Sequence, residues 1–166
     1  MLDINKLSSK YNIRKLNSGD IEMIYNFCKE NKQYYKYCEK ELSIDLIKQD
    51  LTIVPLNFDK ERKFYLGFFD NNKLVAVLDF LNGYPNENYV FIGFFMLKNS
   101  LQGQGLGSEI IQETLSYLKQ IGFEKCKLGI DKSNPQSNYF WKKNGFEIIS
   151  EVKVENNEIL VAEKIL

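Results

Sequence analysis

A glycine-rich loop that leads directly into an amphipathic helix is the feature of this chain that most limits its fold. The loop reads QGQGLGS over residues 102–108 and follows an apolar run that ends at Leu97. Glycine adopts positive φ and has no Cβ, so the successive N–H groups of such a loop can point at one site. The first turn of the helix adds N–H groups without internal partners and the positive end of the helix dipole. This order of elements predicts an anion site suited to pyrophosphate.

The segment after the loop has the periodicity of a surface helix packed on a core. We expect this helix to start near Gly107 or Ser108 and to end at Gly122, which suits a C′ position. Its apolar face consists of Leu106, Ile110, Ile111, Leu115, Leu118 and Ile121. The spacing is that of one helix face, so the glycines could also form nothing more than a tight turn before an ordinary helix.

Two nucleotide-binding motifs are alternatives for the loop. A Walker A motif requires Lys and Ser/Thr after the last glycine, and this loop has neither in that order. A dinucleotide fingerprint is closer, because Gly103, Gly105 and Ser108 fit its spacing if serine is accepted at the third position. However, Lys98 to Leu101 separate the strand from the loop, and Glu124 precedes the next strand, whereas the acid that binds the ribose should end it. Neither motif therefore explains the loop.

A third pattern fits both this loop and a second segment. Residues 102–107 satisfy Q/R-x-x-G-x-G/A, and residues 134–146 read NPQSNYFWKKNGF. The first pattern resembles the acyl-CoA pyrophosphate signature of the GNAT superfamily of N-acyltransferases. The second resembles that family's later motif, in which an asparagine starts a short helix and an aromatic residue followed by Gly-Phe ends it. The two motifs occur in the family's order and spacing across residues 91–146.

The resemblance implies a fold and a cofactor site. We expect one α/β domain over residues 1–166, with a mixed, mostly antiparallel sheet of about seven strands, about four flanking helices, and a central parallel pair that splays apart. Acetyl-CoA would lie in the resulting cleft as the acyl donor. The residues expected to contact it are Phe95, Met96, Leu97, Gln102, Gly103, Gln104, Gly105, Leu106, Gly107, Ser108, Asn134 and Trp141.

The resemblance also implies a reaction: direct transfer of an acetyl group from acetyl-CoA to a primary amine of a small molecule or peptide. An amine with a pKa of about 10.4 is almost wholly protonated at pH 7, so a carboxylate should help to remove its proton. The candidates are Asp79, Glu87 and Asp131, with Asp79 first. Many relatives carry a tyrosine that protonates the leaving thiolate where this chain has Trp141, and indole is no usable acid. A non-catalytic acyl-CoA-binding regulatory module is the alternative.

Asp79 has an unusual position in its own segment. Residues 64–81 read as two apolar strands joined at Asn71-Asn72, and Asp79 shares a face with Val75 and Val77. A buried carboxylate is costly unless it is paired or hydrogen-bonded. Both a structural partner, such as an amide or Lys/Arg, and a role facing the substrate remain open from the residues alone.

Elsewhere the pattern predicts strands at residues 12–16, 89–97, 125–130, 146–154 and 159–165, and helices near residues 18–29 and after Ser43. A turn is expected at Asn156-Asn157. Between the two helices, residues 33–38 (QYYKYC) carry three tyrosines. These side chains serve either as core packing or as one wall of an acceptor pocket, and the sequence does not separate the two.

Composition excludes several classes of partner. Lys plus Arg and Asp plus Glu each number 22, so no basic field favours nucleic acid or an anionic membrane. Without histidine, and with three widely spaced cysteines, the chain offers no metal site and no Ser-His-Asp or Cys-His catalysis. The first ten residues lack the apolar segment of a signal peptide. We expect a cytoplasmic protein, monomeric or homodimeric, that binds small molecules or peptides.

Overall fold

A computed structural model describes residues 2–166 of the chain. Within that range seven strands are present: β1 (Asn12–Lys15), β2 (Lys63–Asp70), β3 (Lys73–Asn82), β4 (Tyr89–Leu97), β5 (Lys125–Asp131), β6 (Glu147–Val154) and β7 (Asn157–Ile165). The helices are α1 (Ile21–Lys29), α2 (Lys32–Tyr35), α3 (Ile44–Thr52), α4 (Leu106–Gln120) and α5 (Pro135–Lys143). Single 3₁₀ turns occupy Ile4–Lys6, Ser18–Asp20, Lys60–Arg62 and Asn99–Leu101.

All seven strands of the described chain form one sheet in the order β1-β2-β3-β4-β5-β7-β6. Every neighbouring pair is antiparallel except β4 and β5, which are parallel and connected through α4. A parallel pair requires a crossover connection, and the long amphipathic α4 supplies it. The expected α/β fold, with a mostly antiparallel sheet and one central parallel pair, is confirmed.

Helices cover both faces of the sheet. On one face, α4 buries Ile110, Ile111 and Leu118 against strand residues such as Phe68 and Leu128. On the other, α1 and α3 bury side chains such as Ile24 and Ile47 against Val77 and Met96. Strands β2 and β3 are buried on both faces because each lies inside the sheet between two layers of helices.

Local sequence signals place most of the element boundaries. Asn71 and Asn72, with φ of 46° and 63°, form the predicted turn between β2 and β3. Gly122 and Gly145 follow α4 and α5 with φ of 101° and 86°, as expected of C′ glycines. Asn134 caps α5 and Pro135 begins it.

Several boundaries and one connection differ from the prediction. Helix α4 begins at Leu106, one residue early, because Gly105 adopts φ 83° and serves as its N-cap. The last hairpin turns at Glu155, with φ 54°, and Asn156, since Asn157 already pairs with Val154 in the sheet. The tyrosine-rich connection contains the additional short helix α2, which the sequence pattern does not predict.

Candidate active site

A cleft opens where the two parallel strands separate. Strands β4 and β5 pair only from Tyr89↔Lys125 to Ile92↔Leu128. Beyond Ile92, β4 continues to Leu97 and pairs with β3 alone. Its backbone over residues 93–97 therefore has one edge without a neighbouring strand, which is the kind of edge that an extended ligand can join.

The glycine-rich loop lies at the end of this edge. Gly103 and Gly105 adopt φ of 76° and 83°, and a Cβ at either position would meet no atom within 4 Å. These two positions therefore require glycine for backbone conformation and not for space. No carbonyl or side chain within residues 2–166 accepts a hydrogen bond from the N–H groups of residues 103–108. Six successive donors at a helix N-terminus can thus receive an anion.

Gln102 holds the loop in place through its side chain. Its Nε2 donates to Oδ1 of Asn31 at 2.6 Å and to the Leu97 carbonyl at 3.0 Å, and its Oε1 accepts from Gln136 at 3.3 Å. These bonds connect the start of α2, the end of β4 and the first turn of α5. The Leu97 carbonyl, expected to face the cofactor, already accepts this internal bond.

Gly107 allows α4 to approach an aromatic cluster. A Cβ there would lie 3.3 Å from the Phe140 ring and 3.5 Å from the Phe95 ring. Those two rings stack with centroids 5.7 Å apart. Trp141 packs edge-on against Phe95, Phe140 and Phe146, and only 8% of its surface is exposed. Trp141, at the position where the resemblance implies a tyrosine, is therefore part of the core beside the cleft.

Two cavities lie along the cleft. The smaller, about 440 Å³, is bounded by the glycine loop, the end of β4 and α5. The larger, about 690 Å³, is bounded by α2, α3 and the segments that follow them on one side and by β3, β4 and β5 on the other. Four residues border both cavities: Tyr34, Phe95, Ser137 and Trp141. Two molecules, one bound in each cavity, would therefore come into contact beside these four residues, close to where β4 and β5 separate.

The predicted cofactor residues are divided between these cavities. Nine line the smaller one: Phe95, Met96, Leu97, Gln102, Gly103, Gly105, Gly107, Ser108 and Trp141. Asn134 lines the larger cavity, where its Oδ1 accepts the Ser137 N–H at 3.1 Å. Gln104 and Leu106 border neither; the side chain of Gln104 donates to the Ser100 carbonyl at 3.2 Å.

Asp79 is buried at the floor of the larger cavity and carries a structural partner as well. Nζ of Lys63 lies 2.8 Å from both of its carboxylate oxygens. Burial raises the pKa of Asp79 to about 6, against the opposing effect of Lys63. A Cβ on Gly93 would lie 2.9 Å from Asp79 Oδ2, so the carboxylate lies over the first β4 residue beyond the paired part of the parallel strands.

Two β-bulges put Asp79 there. The β2–β3 hairpin pairs Asp70 with Lys73, a register that would set Leu78 opposite Tyr65 if it continued unbroken. A shift at Phe68/Phe69 brings Asp79 opposite Tyr65 instead. A second shift, beside Asp79, leaves Gly93 as the extra residue of β4. Bulges re-aim side chains, and these two turn the carboxylate toward the cleft.

The other two candidate bases have different positions from those expected. Glu87 lies outside both cavities and forms an exposed ion pair with Arg62 at 2.7 Å, so its expected place in or beside the cleft is wrong. Asp131 does line the larger cavity. Its oxygens accept hydrogen bonds from Ser133 and from Asn157 Nδ2, the latter at 3.0 Å. These bonds give Asp131 a structural role at the end of β5, where it holds the loop that follows.

Sequence reasoning missed several residues of the cavities. Lys63 begins an apolar strand, and a lone lysine there is a weak signal for a buried carboxylate partner. Its pairing with Asp79 depends on the bulge at Phe68/Phe69, which no local pattern predicts. Asp50 was missed because it reaches the larger cavity from α3, through packing on the sheet. Of the tyrosines considered in residues 33–38, Tyr34 and Tyr35 line this cavity and also pack against the core.

Comparison with known proteins identifies the fold's family. The family model described as "Acetyltransferase (GNAT) family" matches residues 22–146, well over half of the chain. The chain belongs to the GNAT acetyltransferase family. The match covers the candidate base, the open edge of β4, the glycine loop and α5. No curated protein is significantly similar to this GNAT chain.

Solved structures with the same fold are distant in sequence. An acetyltransferase from Thermus thermophilus aligns with a TM-score of 0.77 at 18% identity, covering 95% of this chain and 97% of its own. An acetyltransferase from Salmonella typhimurium that modifies the N-terminal serine of ribosomal protein L7/L12 aligns with a TM-score of 0.75 at 17% identity, with 96% and 97% covered. PaiA N-acetyltransferase from Thermoplasma acidophilum, solved with coenzyme A, aligns with a TM-score of 0.66 at 19% identity, covering 94% of this chain and 99% of its own. These likenesses concern the GNAT fold.

Neither a cluster of metal ligands nor a membrane-spanning helix is found in residues 2–166. No group of three or more His, Cys, Asp or Glu side chains in that range could hold a metal ion. None of the helices described there combines the length and apolar character needed to cross a bilayer.

Proposed function

We propose that this chain is an N-acetyltransferase that moves an acetyl group from acetyl-CoA to a primary amine by direct attack. The observation that carries the proposal is the pair of cavities along one cleft. One ends at a loop of unpartnered N–H groups, the other contains a buried carboxylate, and they meet at Tyr34, Phe95, Ser137 and Trp141. Both substrates could therefore be bound together, with no need for an acetyl-enzyme.

The smaller cavity suits coenzyme A in shape and in polarity. The N–H groups of residues 103–108 are free to receive the pyrophosphate, and the open edge of β4 can hydrogen-bond an extended pantetheine arm. The Phe95 and Phe140 rings give this cavity an apolar wall. Acetyl-CoA, once bound, supplies the activated thioester carbonyl.

Asp79 is proposed to take the proton from the acceptor amine, directly or through water. With a pKa of about 6 it is ionised at neutral pH and can accept a proton. Its raised pKa also makes it a better base than an exposed aspartate. Lys63 keeps the buried carboxylate from losing its charge entirely at neutral pH, because it pulls the pKa down against the effect of burial.

No side chain with a usable acidic proton replaces the family's tyrosine at Trp141. A thiol with a pKa of about 8.5 is a tolerable leaving group without help, so that water can protonate it. Trp141 would then contribute contacts with the pantetheine arm and exclude solvent from the junction of the cavities.

The acceptor is proposed to be the primary amine of a small molecule or peptide. Among similar structures are enzymes named for ribosomal protein N-termini and for spermidine, which are both amines. A cytoplasmic location belongs to the same proposal, since the three cysteines are unpaired and two of them are buried.

Replacement of Gly105 by Glu tests the cofactor site. The added carboxylate would face the bound pyrophosphate and should weaken acetyl-CoA binding at least ~10-fold by calorimetry. Gly122→Glu is the matched control, because Gly122 also has positive φ and open space but lies at the other end of α4. Equal binding by the two variants would contradict the phosphate assignment, and NAD should bind neither.

Amine-dependent release of CoA tests the reaction itself. The wild-type protein should release CoA from acetyl-CoA faster when amines are added. Tight binding of acetyl-CoA without release against a broad amine panel would favour the non-catalytic module.

A further inference from the structure

One carboxylate of the larger cavity, Asp50, has neither a hydrogen-bond donor nor an ion-pair partner among the described residues, although Lys63 and Lys40 lower its pKa from a greater distance. Four acidic side chains line that cavity, together with two lysines: Glu39, Asp50, Asp79, Asp131, Lys40 and Lys63. Asp79 is paired with Lys63, Asp131 accepts from Ser133 and Asn157, and Glu39 accepts from Asn156 at 2.8 Å. Within residues 2–166 no donor hydrogen-bonds to Asp50, and no cationic group lies within ion-pair distance of it.

The local position of Asp50 gives no structural reason for a carboxylate. It lies two residues before the end of α3, where the helix dipole disfavours negative charge, and the last turn holds no basic residue. The side chain is half-buried beside the cavity, and the loss of water raises its pKa. Its charge also reaches the catalytic region, since it raises the pKa of Asp79.

The walls next to Asp50 suit a cationic chain. Tyr34, Tyr35 and Tyr37 line the cavity from the α2 region, and Phe91 and Phe94 line it from β4. Tyr34 packs edge-on against Phe94 with ring centroids 5.7 Å apart. Aromatic rings accommodate methylene groups and attract ammonium or guanidinium groups.

We propose that the acceptor carries a second cationic group, which pairs with Asp50 while its reacting amine lies beside Asp79. The two carboxylates have separate tasks. The reacting amine must lose its proton before it attacks, whereas an ion pair with Asp50 would keep a bound amine charged. A diamine, a polyamine or another amine with a second ammonium or guanidinium group meets both requirements. This inference rests on the proposed acetyltransferase function.

Acceptors matched in length test the inference through CoA release. Putrescine should be acetylated with a kcat/KM at least ~10-fold above that of n-butylamine, because only the diamine can pair with Asp50. Asp50→Asn should reduce that ratio ~10-fold or more. Asp45→Asn is the control on the same helix, since Asp45 is exposed, lies outside the cavity and pairs only with Lys48. Its ratio should equal that of the wild type.

The outcomes separate this inference from the proposed function. Turnover of both amines with equal kcat/KM, or a ratio unchanged in Asp50→Asn, would overturn the role of Asp50 and leave the acetyltransferase intact. If no amine stimulates CoA release, the proposed reaction is wrong. The role of Asp50 is then tested separately, by measuring the binding of putrescine to CoA-saturated protein by calorimetry. Binding that Asp50→Asn weakens and Asp45→Asn does not would support the site, and absence of binding would overturn it.

Discussion

Asp79 combines a buried ion pair with a position beside the larger cavity. Its carboxylate is held by Lys63 at 2.8 Å in the interior of the sheet, and it also borders the larger cavity over Gly93. Burial without the lysine would neutralise the group, and the lysine without burial would make it a poor base. The balance of the two effects, a pKa of about 6, keeps it ionised and moderately basic near neutral pH.

The pH dependence of turnover should report this residue. Activity should rise with pH through about 6, as Asp79 loses its proton. Asp79→Asn should remove that rise and lower kcat/KM at pH 7 by ~10²- to 10⁴-fold, with a smaller loss at pH 9 to 10, where more of the amine is already neutral. A uniform loss across pH with a lower melting temperature would assign Asp79 to structure alone.

Lys63→Met gives an independent check on the same group. Removal of the cation takes away the influence that lowers the pKa of Asp79, so the rise in activity should move to higher pH. Lys63→Arg, which retains a positive charge, should move it less. A profile that stays at the same pH in Lys63→Met would show that another group titrates.

Trp141 should contribute contacts and no proton. Trp141→Phe should lower stability by about 1–3 kcal/mol, since the indole packs among three aromatic rings, and should weaken acetyl-CoA binding modestly. The pH profile of kcat should not change. Trp141→Tyr should raise kcat if departure of the thiolate limits the rate. If Trp141→Phe removes a pKa from the high-pH side of the kcat profile, the claim that Trp141 supplies no proton is wrong.

At the scale of elements, the site depends on irregularities in regular strands. The bulge at Phe68/Phe69 sets the register of Asp79, and the bulge opposite Asp79 puts Gly93 beneath its carboxylate. At the same level β4 loses its parallel neighbour. The extra residue Gly93 therefore lies where the sheet opens, and the candidate base lies at that point.

Gly93→Ala should disturb the base without affecting the cofactor. Its methyl group would lie 2.9 Å from Asp79 Oδ2, so the carboxylate must move. We expect kcat/KM to fall about 10- to 100-fold while acetyl-CoA binding stays unchanged. In the Asp79→Asn background the same substitution should have much less effect, because neighbouring changes that act through one group are not additive. Additive losses would show that Gly93 acts elsewhere.

At the scale of the whole molecule, two cavities lie along one cleft, and different helices form their walls. Helices α4 and α5 and the glycine loop form one side, and α2 and α3 form the other, with the separated strands between them. The only thiol that borders the cavities in the described chain, Cys38, has a pKa raised to about 11 by burial. Such a thiol is a poor nucleophile at neutral pH.

Direct transfer predicts a particular kinetic pattern. Incubation with acetyl-CoA alone should leave the intact mass of the protein unchanged, and initial rates against both substrates should give intersecting lines. Parallel lines, or a mass increase of one acetyl group, would indicate an acetyl-enzyme and contradict the ternary complex. Cys38→Ser should preserve the rate, which separates an adventitiously acetylated thiol from an intermediate.

The sequence by itself determined the features that local physics specifies. Three glycines before an amphipathic helix predicted the loop and its unpartnered N–H groups, because positive φ and a helix N-terminus are properties of consecutive residues. The asparagine turn, the cap at Asn134 and the C′ glycines followed from the same kind of signal. The motifs at residues 102–107 and 134–146 indicated the GNAT family. The match of the family model to residues 22–146 confirmed it.

Only the tertiary structure decided what lies beside what. Glu87 was one of the three candidate bases, yet it pairs with Arg62 at the surface. The partner of Asp79 depends on a register shift, and Asp50 and Tyr34 reach the larger cavity from helices packed on the sheet. Registers, bulges and helix packing depend on contacts between residues far apart in sequence. A local pattern therefore predicted the glycine loop, while the larger cavity, proposed to bind the acceptor, emerged only from the folded sheet.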